Sequence, residues 1–387
     1  MVDIVGDSTG SGATRGADGR DRPPATLSAR ALNRATLARQ LLLARSTMDV
    51  PAAVEHLVGL QAQTPHTWYV GLWTRLAGFE PAHAADPLAS RALVRTALLR
   101  STIHLVTARD ALAIRPLLEP VIERGLTGAF GKRLVGIDRA ELVAAGRALL
   151  DERPLTFAEL GRALAERWPD RDPAALAQAV RAWAPLVQVT PRGLWGRSGA
   201  AAHTTVERWL GADVAAEPSV TDLVRRYLGA FGPASVRDAQ TWSGLTRLAE
   251  VFEEMRPALV VFRDTEGREL FDLPDAPRPD EDTPAPPRLL YDFDNLLLSH
   301  ADRSRVITDR HRAQDFAPHG PQPRSVLLDG VTAGVWTTEI GKERAVLTVR
   351  CFDPVSGAHE EALAAEARDL LRFLVGDSVA REVRIAG

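Results

Sequence analysis

The chain has 387 residues, 45% apolar and 25% charged, and its 47 basic and 50 acidic side chains leave a net charge of −3. That length exceeds one ordinary domain and allows two to four with developed cores; the near-balance of charge excludes a polycation drawn to every anion, so any nucleic-acid contact has to come from a local patch. No apolar run reaches the roughly 18 to 20 residues of a membrane span, no secretory pattern opens the chain, and the single cysteine, Cys351, excludes internal disulfides and cysteine-based metal clusters.

A cytoplasmic protein without membrane, metal or cofactor is therefore expected. Of the basic residues only Lys132 and Lys342 are lysines. That bias fits GC-rich coding as well as arginine's capacity to bridge phosphates or a guanine edge.

Residues 1 to about 26 are rich in Gly, Ser, Asp and Pro and predict a disordered tail. From 27 to about 75 the apolar residues fall at helical spacing, with Leu32, Leu37, Leu41 and Leu42 on one face and Val54, Leu57, Val58 and Leu60 on another. Ser28 and Thr36 are candidate helix starts, and Pro51 fits a first turn. Two amides, Gln61 and Gln63, stand one residue apart among Val58, Leu60, Trp68, Tyr69, Leu72 and Trp73. Burying an amide without partners is costly. Either the pair caps loose backbone at a helix end, or an extended backbone lets both converge on one water or ligand. Downstream, 100–106 alternates polar and apolar residues and reads as a strand with Arg100, Thr102 and His104 on one face. A strand-face histidine is more often structural than functional.

Between 151 and 197, Thr156 and Glu159 have capping-box spacing before a short helix. A second helix at about 173–183 follows, then apolar runs at 186–190 and 194–196 on either side of Pro191-Arg192-Gly193. Helix, helix and hairpin predict a winged helix. The pattern recurs from 220 to about 272, with its hairpin at 259–262 and 269–271, and the segment at 27–110 is read as a more diverged third copy. A proline- and acid-rich linker at 273–288 leads to short β-like runs at 288–292, 325–328, 334–339 and 344–352 and a helix at about 359–374, which predicts a small sheet or partial barrel carrying a helix. Winged helices chiefly bind DNA, but the helix at 173–183 exposes only Gln178 and Arg181 as readers. The segment 291–307 ends in a denser basic cluster, His300, Arg303 and Arg305, which is either a phosphate contact or a solvated loop.

Gln61-Ala-Gln63 followed by Trp68, the strand from Arg100 to Asp110, the winged-helix units and the run from Asp294 through Asn295, His300 and Arg303 to Arg305 together resemble the AlkZ/YcaQ family of bacterial winged-helix DNA glycosylases, over about residues 27–385. The resemblance implies an α+β fold of tandem winged-helix units with a C-terminal β-barrel-like domain. Its units are 27–150, 151–215, 216–275 and 276–387. It further implies catalysis by Gln61 and Gln63, DNA or lesion contacts from Trp68, Arg100, Thr102, His104, Asn295, His300, Arg303 and Arg305, and a double-stranded DNA substrate carrying alkylated purines, bound by a monomer. Gln63 stands where the YcaQ-like branch carries Asp, which places the chain with the AlkZ-like branch and implies removal of bulky alkylated purines or unhooking of crosslinks, in self-resistance to a DNA-alkylating antibiotic. The competing reading is a non-catalytic DNA-binding protein, a regulator or a shield for lesions.

Overall fold

The computed structural model describes residues 24–312, 323–377 and 379–386. The expected tail lies outside them except for its last three residues, and of these Thr26 already belongs to a strand, β1 (Thr26–Leu27). Helix α1 (Ala29–Arg39) begins at Ser28, whose hydroxyl accepts from the Ala31 amide. Thr36 is no helix start: it lies inside α1 and its hydroxyl donates to the Leu32 carbonyl. Next come α2 (Val50–His56), capped by Asp49 with Pro51 in its first turn, then β2 (Leu60–Gln61), α3 (Trp68–Arg75) and α4 (Ala82–Ala89). The hairpin β3 (Leu93–Ala97) and β4 (Ile103–Thr107) is extended by β2, which lies antiparallel to β4. Helices α5 (Ala108–Ile114), α6 (Glu119–Phe130) and α7 (Arg139–Glu152) follow.

After β5 (Leu155–Thr156), α8 (Phe157–Arg167) opens on the capping box read from Thr156 and Glu159. Helix α9 (Pro173–Trp183) leads to β6 (Leu186–Gln188), whose partner is β7 (Ala202–Thr205) and not residues 194–196. The apolar pair Leu194-Trp195 misled the pattern because it serves a distant core: the Trp195 ring lies 4.9 Å from Tyr69 and 5.3 Å from Phe373. Then come α10 (Val206–Leu210), α11 (Val220–Phe231), α12 (Val236–Ser243), α13 (Leu248–Met255) and the hairpin β8 (Val260–Asp264) with β9 (Glu269–Asp272). β1 joins that hairpin, parallel to β8.

The C-terminal part holds β10 (Arg288–Leu289), α14 (Asp309–Arg312), β11 (Ser325–Leu328), β12 (Val331–Ile340), β13 (Arg344–Cys351), α15 (Gly357–Val375) and β14 (Ala380–Ala386). Its sheet is open, in the order β10-β11-β12-β13-β14, so the expected barrel does not close among the described residues. β14 was not anticipated; it runs parallel to β13, and α15 buries Leu363, Ala367, Leu370 and Leu371. The proline-rich stretch forms neither helix nor strand before β10 and lies over α1, where Arg30, Arg34 and Arg39 donate to the carbonyls of Glu281, Thr283 and Pro277.

The fold is thus mixed α+β. The hairpins β3–β4 and β6–β7 share one six-stranded sheet, β2-β4-β3-β6-β7-β5, with β2 at its edge. Two buried bidentate ion pairs bridge distant segments: Arg39 on α1 with Asp272, and Arg75 on α3 with Asp294. A buried pair adds little net stability but makes removal of either partner costly, so these pairs fix how the segments meet. No described helix is long and apolar enough to cross a membrane.

Candidate active site

Gln61 ends the edge strand β2, opposite His104 of β4. The strand comes this close to β4 because residue 59 is glycine: at φ +90° an added Cβ would stand 2.6 Å from a Val106 methyl. Asn295 clamps the same backbone from the other side, its amide nitrogen donating to the Gly59 carbonyl at 2.6 Å and its oxygen accepting, at a long 3.4 Å, from the Gln61 amide.

The side-chain carbonyl of Gln61 is held by the β3–β4 connection and that of Gln63 by the first residue of β4. Gln61 Oε1 accepts from Arg100 Nη2 at 2.8 Å, and Gln63 Oε1 accepts from the Ile103 amide at 3.2 Å. Gln61 is only 4% exposed, whereas Gln63 lies open. The connection itself is strained: Arg100 and Ser101 both take positive φ, 54° and 62°, the turn that hairpins favour and that Asn and Gly ordinarily supply. Arg100 is braced there, since its Nη1 donates to the Trp242 carbonyl of α12 at 2.7 Å. Burial lowers the Arg100 pKa to about 10, and the group stays a cation at neutral pH.

His104 is buried; burial first, then the Arg100 charge, pushes its pKa down to about 3, so the ring is neutral. Its Nδ1 meets the Thr102 carbonyl at 3.0 Å, while Nε2 is buried without a partner. Thr102, half-buried, donates to the Leu99 carbonyl at 3.1 Å. A further group was not picked out by the sequence: Thr64 Oγ1 donates to Asp292 Oδ2 at 2.5 Å, while Asp292 Oδ1 is buried with no partner. The next residue, Phe293, sits at φ 62°. Beside it the Tyr291 hydroxyl is also buried and unpartnered. No spacing rule singles out Asp292, because its relation to Gln63 is made only by folding.

Four expected DNA or lesion contacts are internal, and that expectation is corrected for them. Trp68 is fully buried, with its indole N–H donating to the Pro65 carbonyl at 2.7 Å, and is part of the core. His104 is enclosed by the sheet, as described. His300 is buried against the Phe231 carbonyl at 3.0 Å, with a pKa pushed down to about 3 by burial and by Arg305. Arg305 is buried too and donates to the Pro233 carbonyl at 2.9 Å. The chemistry of these side chains misled because arginine and histidine serve as buried backbone ties as readily as phosphate contacts. Arg303, by contrast, is half-exposed, with its pKa lowered by burial. The structure thus brings together Gln61, Gln63, Arg100, Thr102, His104 and Asn295, but puts Trp68, His300 and Arg305 to structural use. Among the described residues, no group of three or more His, Cys, Asp or Glu is arranged to hold a metal ion.

The chain is similar to known proteins in sequence and in fold. The chain is 26% identical over 333 residues, 80% of its length and 87% of the relative's, to the interstrand DNA cross-link repair glycosylase of Streptomyces sahachiroi. It also resembles the solved structure of Streptomyces sahachiroi DNA glycosylase AlkZ, with a TM-score of 0.73 and 24% identity over 93% of this chain and all of that one. The AlkZ-like DNA glycosylase family matches residues 54–373, from α2 through α15 and across both glutamines, and the chain belongs to that family as a DNA glycosylase, an enzyme that hydrolyses N-glycosidic bonds.

Proposed function

We propose that the protein excises bulky N7-alkylguanine adducts from double-stranded DNA and unhooks interstrand crosslinks, acting as a monomer in the cytoplasm of a cell that makes, and so must survive, a DNA-alkylating antibiotic. The observation that carries this reading is the anchoring of two amide carbonyls at the edge of the central sheet, Gln61 on the strained β3–β4 turn and Gln63 on the first residue of β4. The name of the Streptomyces sahachiroi relative supports crosslinks as its substrate. Scattered rather than clustered exposed apolar side chains, Met48, Val135 and Ile340, support a monomer. The three helix-and-hairpin units are read as tandem winged helices that bind DNA. Thr102 and Arg303 are the expected contacts left accessible, while Arg100 and Asn295 position Gln61.

Guanine alkylated at N7 is already a cation, so the base departs without a strong general acid. The protein has to place water against the sugar and stabilise the positive charge that develops there. An amide oxygen accepts a hydrogen bond from water and faces a cationic carbon well, but it is too weak a base to remove the proton. Neutral adducts are therefore expected to be poor substrates.

The test is a duplex crosslinked through two guanine N7 atoms by a nitrogen mustard, incubated with protein and then treated with alkali to cut at abasic sites. Strand scission by the wild type, lost in the Gln61→Ala, Gln63→Ala double variant, is expected. Binding without scission overturns the assignment in favour of a lesion shield or regulator.

A further inference from the structure

The chemistry proposed for the glutamines leaves one proton without an acceptor. Water attacking the sugar carbon has to lose it, amide oxygens do not take it, and Arg100, hydrogen-bonded to Gln61, is already a cation. A guanidinium near a developing oxocarbenium centre is also unfavourable unless an anion offsets it.

Carboxylates in the neighbourhood are few. Asp294 is fully buried and bidentate with Arg75, so both its oxygens are occupied. Asp238 is spent on the Ser235 cap and the Ala301 amide. Among the described residues, the one carboxylate hydrogen-bonded to the segment 60–64 or the turn 98–104 is Asp292. It receives a single hydroxyl, from the residue after Gln63, and its second oxygen is shielded and unpartnered. An unpaired buried carboxylate oxygen is costly and calls for a use. Its setting is held rather than loose: Tyr291 before it is fully buried against Gly71, Phe293 after it is strained, and Asn295 beyond it clamps the Gln61 backbone. Strain concentrated at one short segment is a common mark of a functional site.

We propose that Asp292 is the general base of the glycosylase reaction, an inference that rests on the function proposed above. The carboxylate of Asp292 accepts a proton from the water held by the glutamine carbonyls. The water oxygen then bonds to the sugar C1′, the C1′–N9 bond breaks, and its electron pair passes to the purine and neutralises the charge placed there by N7 alkylation. No proton is given to the leaving base, so the dependence on a cationic adduct stands. The Thr64 hydroxyl aims the carboxylate and is a positioning residue.

The experiment measures single-turnover excision from the same crosslinked duplex, with DNA affinity measured separately. Asp292→Asn is expected to slow excision about 100-fold or more while keeping its affinity within about 3-fold. Asp292→Glu is expected to recover at least a tenth of the rate, and Thr64→Val to slow the single-turnover step with affinity unchanged and Thr64→Ser to restore it. Asp292→Asn within about 3-fold of wild type, or Asp292→Glu as inactive as Asp292→Asn, overturns the proposal, because charge is then not what the residue supplies. So does a His66→Gln variant that loses excision as deeply as Asp292→Asn, since the His66 Nε2 is another buried, unpartnered atom beside the motif. A wild type that produces no abasic sites overturns the underlying function, and this proposal with it.

Discussion

Gln61 and Gln63 differ in what their loss leaves behind. Truncating Gln61 strips the half-buried Arg100 of one of its two acceptors, whereas Gln63 lies open and holds one backbone amide. Gln61→Ala is therefore expected to cost about 1–3 kcal/mol of folding stability and Gln63→Ala less than about 1 kcal/mol, read from urea denaturation. Equal losses would mean that the Gln61–Arg100 bond is absent in solution. A larger effect is expected at Asp294, where Asn would leave Arg75 as an uncompensated buried cation at a cost of about 3–5 kcal/mol. At this scale the sequence was legible by motif and not by contact. Two amides among apolar residues pointed to the site, yet nothing in the order of residues distinguishes Arg303 at the surface from Arg305 under it.

Among the elements, the turn between β3 and β4 carries the most consequence, since it supplies the partner of Gln61, leads directly into the partner of Gln63 and holds two non-glycine residues at positive φ. Ser101 contributes its backbone carbonyl to Arg181 Nη2, which a glycine would keep. Ser101→Gly is accordingly expected to raise stability by about 0.5–1 kcal/mol through relief of strain, and to slow excision because the turn loses its rigidity. Thermal unfolding beside single-turnover rates checks both halves. Several local signals were read correctly, Ser28 capping α1, the Thr156–Glu159 box opening α8 and the β8–β9 hairpin around its acidic turn, whereas Thr36 bonds back into α1 and starts no helix. They failed where a distant partner decided the outcome. Trp195 is apolar for Tyr69 and Phe373 rather than for a strand, and β14 exists because β13 offers it an edge.

For the whole molecule, acid is the condition that exposes how the interior is built. His104, His203 and His300 are all buried with pKa values near 3, each chiefly through burial, against an ordinary 6.5. Between those values the unfolded chain binds protons that the folded chain refuses, so stability falls as pH drops from about 6.5 toward 3. Below the ordinary carboxylate range Asp302, held at about 2, acts in the same direction. Urea midpoints measured at several values from pH 7.5 to 4.5 are expected to decline steadily, and a flat profile over that range would contradict neutral buried histidines.

The continuous sheet β2-β4-β3-β6-β7-β5 has a practical consequence for anyone wishing to graft this activity onto another scaffold. A cut between the first two units, placed where tandem repeats invite one, would lay bare the β3 and β6 borders that face each other in the intact molecule. Fragments made that way are expected to clump through those raw margins. A transplanted piece has to keep β3 and β6 together and carry both the 291–295 segment that clamps the outermost strand and α12, whose Trp242 carbonyl braces Arg100.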